Sequence, residues 1–165
     1  MMRRQTNLIQ LVSLSVWLGA AVFFSGAVAP ALFAALPSRS LAGEVVGRLL
    51  PWIFYGGILA GALVIVTQWR ETGEWNWRGR ETAGALMIAA CAIAQFVIAP
   101  RIERMRGDIG GPIEVLSIDD ARRVAFGRLH GASVGWLGVA MLAAAVGAVG
   151  AVRDIRDVRH GIHTL

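Results

Sequence analysis

The sequence predicts an all-α polytopic membrane protein, a four-helix transmembrane bundle, on three observations. Its 165 residues are 56% hydrophobic and only 16% charged, with a mean hydropathy of +0.59, which is too apolar for an ordinary water-soluble domain. A hydrocarbon core about 30 Å thick needs about 20 apolar residues per helix, and the chain supplies four such runs separated by charged segments. The same punctuation residues also recur, in the same order, around the two halves of the chain. A single transmembrane domain over 1–165 takes up the whole sequence.

The first span is read from about 8 to 36, interrupted by Gln10, Ser13, Ser15, Ser25 and Pro30. Arg3 and Arg4 ahead of it and Ser25-Gly26-Ala27 within it imitate a signal peptide, but the apolar stretch far exceeds an ordinary signal core. The second span covers about 49–69, after an amphipathic approach in which Leu41, Val45, Val46 and Leu49 fall near helical spacing. Between spans two and three, Glu71 to Thr82 is expected as a tight charged turn, with Trp69, Trp75 and Trp77 as interfacial anchors. The third span, about 83–100, is only just long enough to cross and is expected to stand upright or to be shielded at its ends by its neighbours. The connection from Arg101 to Arg128 carries Gly107, Gly110, Gly111 and Pro112 and is expected to break into two helical extensions. A stub over about 118–128, opened by Ser117 to Asp120 as a capping box with Asp119 paired to Arg123, then leads into the fourth span at about 129–152.

The repeated punctuation is specific. Span one ends Val28-Ala29-Pro30 and span two begins Val46-Gly47-Arg48-Leu49; span three ends Ile98-Ala99-Pro100 and span four begins Phe126-Gly127-Arg128-Leu129. Two tandem helical hairpins crossing the membrane in the same direction have the geometry of a parallel repeat. Pro30 and Pro100 mark corresponding places, and His130 takes the place of Leu50. Helix packing is read from Gly57 and Gly61 in span two and from Gly127, Gly131 and Gly135 in span four, since small residues on one stripe let helix backbones approach closely.

Chemistry-bearing residues are few. All sixteen basic residues are arginine, and the net charge is +5. The arginines sit at span ends, where lipid phosphates and membrane orientation account for them without nucleic acid. No Asp, Glu, Lys or Arg lies in the middle of a span, which argues against ion-coupled transport. The polar set inside the spans is Thr67, Gln68, Cys91, Gln95, His130 and Ser133, with Gln95 read as an interhelical hydrogen-bond partner. Cys91 stands alone, so no intrachain disulfide forms. His130 is the one membrane side chain able to change charge near neutral pH. As a haem ligand it would need Met87 or Met141 as a second axial group. His160 and His163 have metal-compatible spacing only in a helical tail. No phosphate loop, nucleophilic triad or paired catalytic carboxylate is present, so neither an enzyme nor a cofactor is expected.

The order of Trp17-Leu18-Gly19-Ala20-Ala21-Val22-Phe23-Phe24, Ala29-Pro30, Ala42-Gly43, Val46-Gly47, Ile98-Ala99-Pro100-Arg101-Ile102, Phe126 and Leu129-His130-Gly131-Ala132-Ser133 resembles the transmembrane protein 205 family and its bacterial relatives. That family is a four-helix domain of unknown function. The resemblance implies the fold and no settled reaction. Leu137 stands where relatives often carry an asparagine.

The functional expectation is therefore a non-enzymatic integral membrane protein that binds lipid or assembles with membrane partners or further copies of itself. The alternative is a small protein handling a metal or haem-type cofactor through His130. The candidate site is a polar mouth of Arg48, Arg101 and Arg128 with His130 and Ser133 one turn inside, suited to an anionic head group or a small anion. Both termini are expected on one side. Arginines divide evenly between the two sides, and Arg3 and Arg4 beside the first span favour a cytoplasmic placement in a bacterial inner membrane.

Overall fold

A computed structural model describes residues 2–73 and 79–161, with side chains over 5–71, at 73 and over 79–156. Among the described residues the chain is helical, without strands. Helix α1 (Met2–Phe23) passes through a widened π turn (Phe24–Val28) into α2 (Ala29–Ala35), and α3 (Arg39–Thr72) returns. Helix α4 (Arg80–Ala92) passes through a second π turn (Ile93–Ile98) into α5 (Ala99–Ile109). A short 3-10 turn (Ile113–Val115) then precedes α6 (Ala121–Gly161). Four of these runs are long and apolar enough to cross a membrane, and their outward faces carry exposed Val16, Phe23, Trp52, Leu59, Leu142 and Val146. Apolar side chains on every outer face are what a lipid solvent requires and water would penalise.

The helices form a ring in which α1 and α4 each pack against both α3 and α6. Its core is Leu14, Trp17, Ala21, Phe54, Val64, Met87, Cys91, Leu137, Ala140 and Ala144. The first pair of spans turns tightly. Ser38 is extended and its hydroxyl accepts from the Leu41 amide at 3.1 Å, capping α3. At the other end of α3, Gly73 takes a left-handed φ of 67° and returns its amide to Trp69 O, a conformation that glycine adopts without strain.

Both π turns take the same position, just ahead of an Ala-Pro pair. Proline lacks an amide hydrogen and its ring crowds the carbonyl four residues back, which a widened turn relieves, although α3 carries Pro51 without one. The Ala29 amide reaches back to Phe24 O ahead of Pro30, and the Ala99 amide to Ala94 O ahead of Pro100. The buried stripes repeat as well. Adding 70 to the numbers of Gln10, Leu14, Trp17, Ala21 and Phe24 gives Arg80, Gly84, Met87, Cys91 and Ala94, all buried. Adding 80 to Gly57, Ala60 and Val64 gives Leu137, Ala140 and Ala144, also buried. Bulk alternates across the equivalent positions, with Trp17 facing the Gly56 and Gly57 gap on α3, so the two hairpins fill one core without colliding.

Three boundaries differ from the sequence expectation. Arg80 and Glu81 lie inside α4 and are buried, so the charged turn is shorter than Glu71 to Thr82; Trp75 and Trp77 fall outside the described residues. The third span is thereby part of a continuous helix of 30 residues, about 45 Å long at 1.5 Å per residue, with length to spare. Helix α6 begins at Ala121, because Asp120 rather than Ser117 is its cap: Asp120 Oδ1 accepts from the Arg122 amide at 2.8 Å. Arg123 donates to Leu116 O at 2.7 Å instead of pairing with Asp119.

Candidate functional site

A buried polar cluster closes the end of the bundle that holds the two termini. Its centre is Arg80, on the first turn of α4 and 8% exposed. Its Nη1 donates to Asn7 Oδ1 at 2.9 Å and Gln10 Oε1 at 2.5 Å, and its Nη2 to Gln68 Oε1 at 3.2 Å and Asp154 Oδ2 at 2.8 Å. Gln10 Nε2 in turn donates to Thr67 Oγ1 at 2.5 Å, and the Thr67 hydroxyl to Leu63 O at 2.6 Å. One guanidinium therefore ties together α1, α3, α4 and α6. The sequence makes room for it with Gly150, where a Cβ would stand 3.0 Å from Arg80 Cγ. A rigid planar fork with five donors suits this task better than an ammonium.

Hydropathy does not reveal this cluster, because Arg80 lies just outside the apolar run, where an arginine reads as an orientation charge. The signal that could have found it is the repeat itself. Gln10 interrupts span one, and the equivalent position of the second half is Arg80. Two carboxylate oxygens nearby, Glu71 Oε1 and Glu81 Oε2, are shielded and accept no hydrogen bond; Gln95 Oε1, in the second π turn, is likewise shielded and unpaired.

The opposite end holds a different arginine. Arg106 lies against Gly43 and Gly47, where added Cβ atoms would stand 3.2 Å from its Nη2 and Nη1. It pairs with Glu103 at 2.9 Å and covers the Phe126 ring at 5.6 Å, a cation–π geometry. The His130 ring stacks on Phe126. The connection to α6 is fastened here: Glu114 accepts from the Ser40 amide at 2.7 Å and from the Ser40 hydroxyl, which itself accepts from the Ile113 amide at 3.1 Å. The Ser40 hydroxyl, foremost among these contacts, holds the Glu114 carboxyl below its usual range.

The five residues expected to form an anion mouth are spread over this end. Arg48 pairs with Glu44 at 2.6 Å. Arg101, Arg128 and His130 are exposed, and Ser133 alone is buried. No hydrogen bond or ion pair joins any two of the five among the described residues, so the structure presents arginines on a surface instead of a closed pocket.

The glycine stripes differ too. A Cβ on Gly57 would lie 2.5 Å from Cys91 Sγ, and one on Gly61 2.7 Å from Gly84 O, so these two sit at tight contacts with α4. At Gly127, Gly131 and Gly135 an added Cβ meets nothing within 4 Å. His130 and Met141, eleven positions apart on one helix, are separated by about 16 Å of helical rise, too far to share a haem iron. Met87 is fully buried in the core near the opposite end. His163 lies outside the described residues, and no group of three His, Cys, Asp or Glu side chains suited to a metal occurs among those described.

A family model described as a domain of unknown function, DUF4149, matches residues 12–109. That is more than half of the chain and takes in the first three spans with both Ala-Pro π turns. The chain belongs to the DUF4149 family. No curated protein and no solved structure matches it. The family assignment agrees with an integral membrane protein of four apolar helices and brings no reaction with it.

Proposed function

We propose that this DUF4149 protein is a non-enzymatic integral membrane protein that holds anionic lipid head groups at its arginine-rich end. We include in the reading a likeness to the transmembrane protein 205 family and a bacterial cytoplasmic membrane with the termini inside, the latter resting on Arg3 and Arg4 beside the first span. The observation that supports lipid binding is the charge state of the end opposite the termini. Of its acids, Glu44, Glu103, Glu114 and Asp120 are engaged by Arg48, Arg106, Ser40 and Arg122, while Asp108 and Asp119 are exposed and without a partner among the described residues, so six acids stand against eight arginines at this end. Arg39, Arg101 and Arg128 are exposed and carry no hydrogen bond or ion pair among the described residues.

Guanidinium groups match phosphate oxygens in bidentate geometry, and each basic group near an anionic surface contributes about 1 kcal/mol. The test is native mass spectrometry of purified protein offered phosphatidylglycerol and phosphatidylcholine. The wild type is expected to retain phosphatidylglycerol selectively, and the Arg101→Gln, Arg128→Gln double variant to lose that selectivity. Equal retention of both lipids by the wild type would overturn the reading.

A further inference from the structure

The four partners of the Arg80 guanidinium are of two kinds. Asn7 Oδ1, Gln10 Oε1 and Gln68 Oε1 are neutral amide oxygens, contributed by α1 and α3, and all three residues are buried. The fourth, Asp154 Oδ2 at 2.8 Å, makes the one ion pair that Arg80 forms among the described residues. Glu81, next in sequence, forms none with it. Asp154 is also the exposed partner: its side chain is 51% exposed where that of Arg80 is 8%.

These two kinds of partner do different work. The buried amides fix the guanidinium in place and leave its charge uncompensated, and a buried charge without a counter-ion is strongly unfavourable. An anion must therefore stand at the outer edge of Arg80. A half-exposed carboxylate is only weakly held there, because water screens the pair and the side chain regains rotamer freedom on leaving. The arrangement is a rigid cationic seat with a removable occupant, open on the side of Asp154.

We propose that Arg80 is a binding site for the carboxylate of an external ligand, and that Asp154 is the tethered carboxylate that occupies the seat in the ligand's absence. The ligand is a monocarboxylate, either a small water-soluble acid or a fatty acid arriving from the bilayer. Its carboxylate takes the place of Asp154 on Nη2, Asp154 turns into water, and one charge-assisted hydrogen bond replaces another of the same kind. A monocarboxylate keeps the seat neutral, whereas a second charge on the ligand would find no partner in the three amides. A tethered competitor acts at an effective concentration of the order of millimolar, so a bare carboxylate must be supplied at about that concentration or above. The seat is at the opposite end from the head-group surface, so the two readings stand or fall separately.

The test uses the full chain in detergent at pH 7, with acetate and octanoate as probes and potassium chloride at matched ionic strength as the control. Thermal unfolding and calorimetric titration are the readouts. The wild-type melting temperature is expected to rise saturably with at least one acid and not with chloride; the acid that acts at the lower concentration tells a soluble source from a lipid one. Asp154→Ala should melt below the wild type and be restored by the same acid, half-maximally at a concentration about tenfold lower or less, since the tethered competitor is gone. The double variant Arg80→Gln, Asp154→Asn removes both charges together and should bind neither acid. Absence of a saturable effect on Asp154→Ala overturns the seat. Rescue of Asp154→Ala with no effect on the wild type overturns the exchange, because the substitution itself would then have made the cavity. Binding that the double variant retains overturns the role of Arg80.

Discussion

Gln10 and Arg80 occupy equivalent positions in the two halves of the chain, 70 residues apart, and are hydrogen-bonded to one another at 2.5 Å. The pair lies where the two hairpins meet, and its neighbours come from all four spans. An amide on one side and a guanidinium on the other supply an acceptor and a donor, which two copies of either residue would do less well. The duplicated architecture is asymmetric where its halves bond.

Removing the donor leaves several acceptors facing each other in a buried place. Arg80→Leu is expected to cost about 3–5 kcal/mol, read as a lower midpoint of thermal unfolding in detergent. Arg80→Lys should recover part of that loss, because an ammonium supplies the charge without the fork. An unchanged midpoint in Arg80→Leu would show that the cluster contributes nothing to folding.

Span-four packing can be tested by a contrast that inverts the expectation from glycine spacing. Gly131 has open space beside it, whereas Ala140 is fully buried. Gly131→Leu is expected to be tolerated in the monomer, and Ala140→Leu to destabilise by about 1–3 kcal/mol or more through overpacking. Gly57→Ala should behave like Ala140→Leu, since its Cβ would meet Cys91 Sγ at 2.5 Å. Unfolding midpoints of the three variants decide the matter.

Glu114 gives the connection to α6 a dependence on pH. Its carboxyl is held below its usual value, chiefly by the Ser40 hydroxyl, with help from backbone amides and Arg123. A lowered folded-state pKa means that the ionised carboxylate favours the docked state. The contact is therefore complete above the ordinary value of 4.5 and is lost as pH falls below it through the lowered one. Hydrogen exchange at the Ile113 amide should accelerate over that acid window, after correction for intrinsic rates. Glu114→Gln should abolish the pH dependence.

Topology offers a direct check. Reporter fusions after residues 76 and 165 are expected on the same side of the membrane, and an insertion within 110–120 on the other. Opposite placement of the first two would refute four crossings.

Hydrophobic patterning determined the number of crossings, because each must supply its own apolar length and satisfy its backbone internally as a helix. It also exposed the duplication, since the Ala-Pro pairs recur at equivalent places: Pro30 and Pro100 each follow a π turn, whereas Pro51 lies inside α3 without one. Tertiary structure decided which polar and small residues are used. Arg80 reads as a surface charge in sequence and becomes the centre of the bundle end because α1, α3 and α6 bring acceptors to it. Gly57 and Gly131 are alike in sequence, yet one holds a helix contact and the other faces outward. Long-range contact sets the role of such residues, and spacing along one helix leaves the partner across the bundle unspecified.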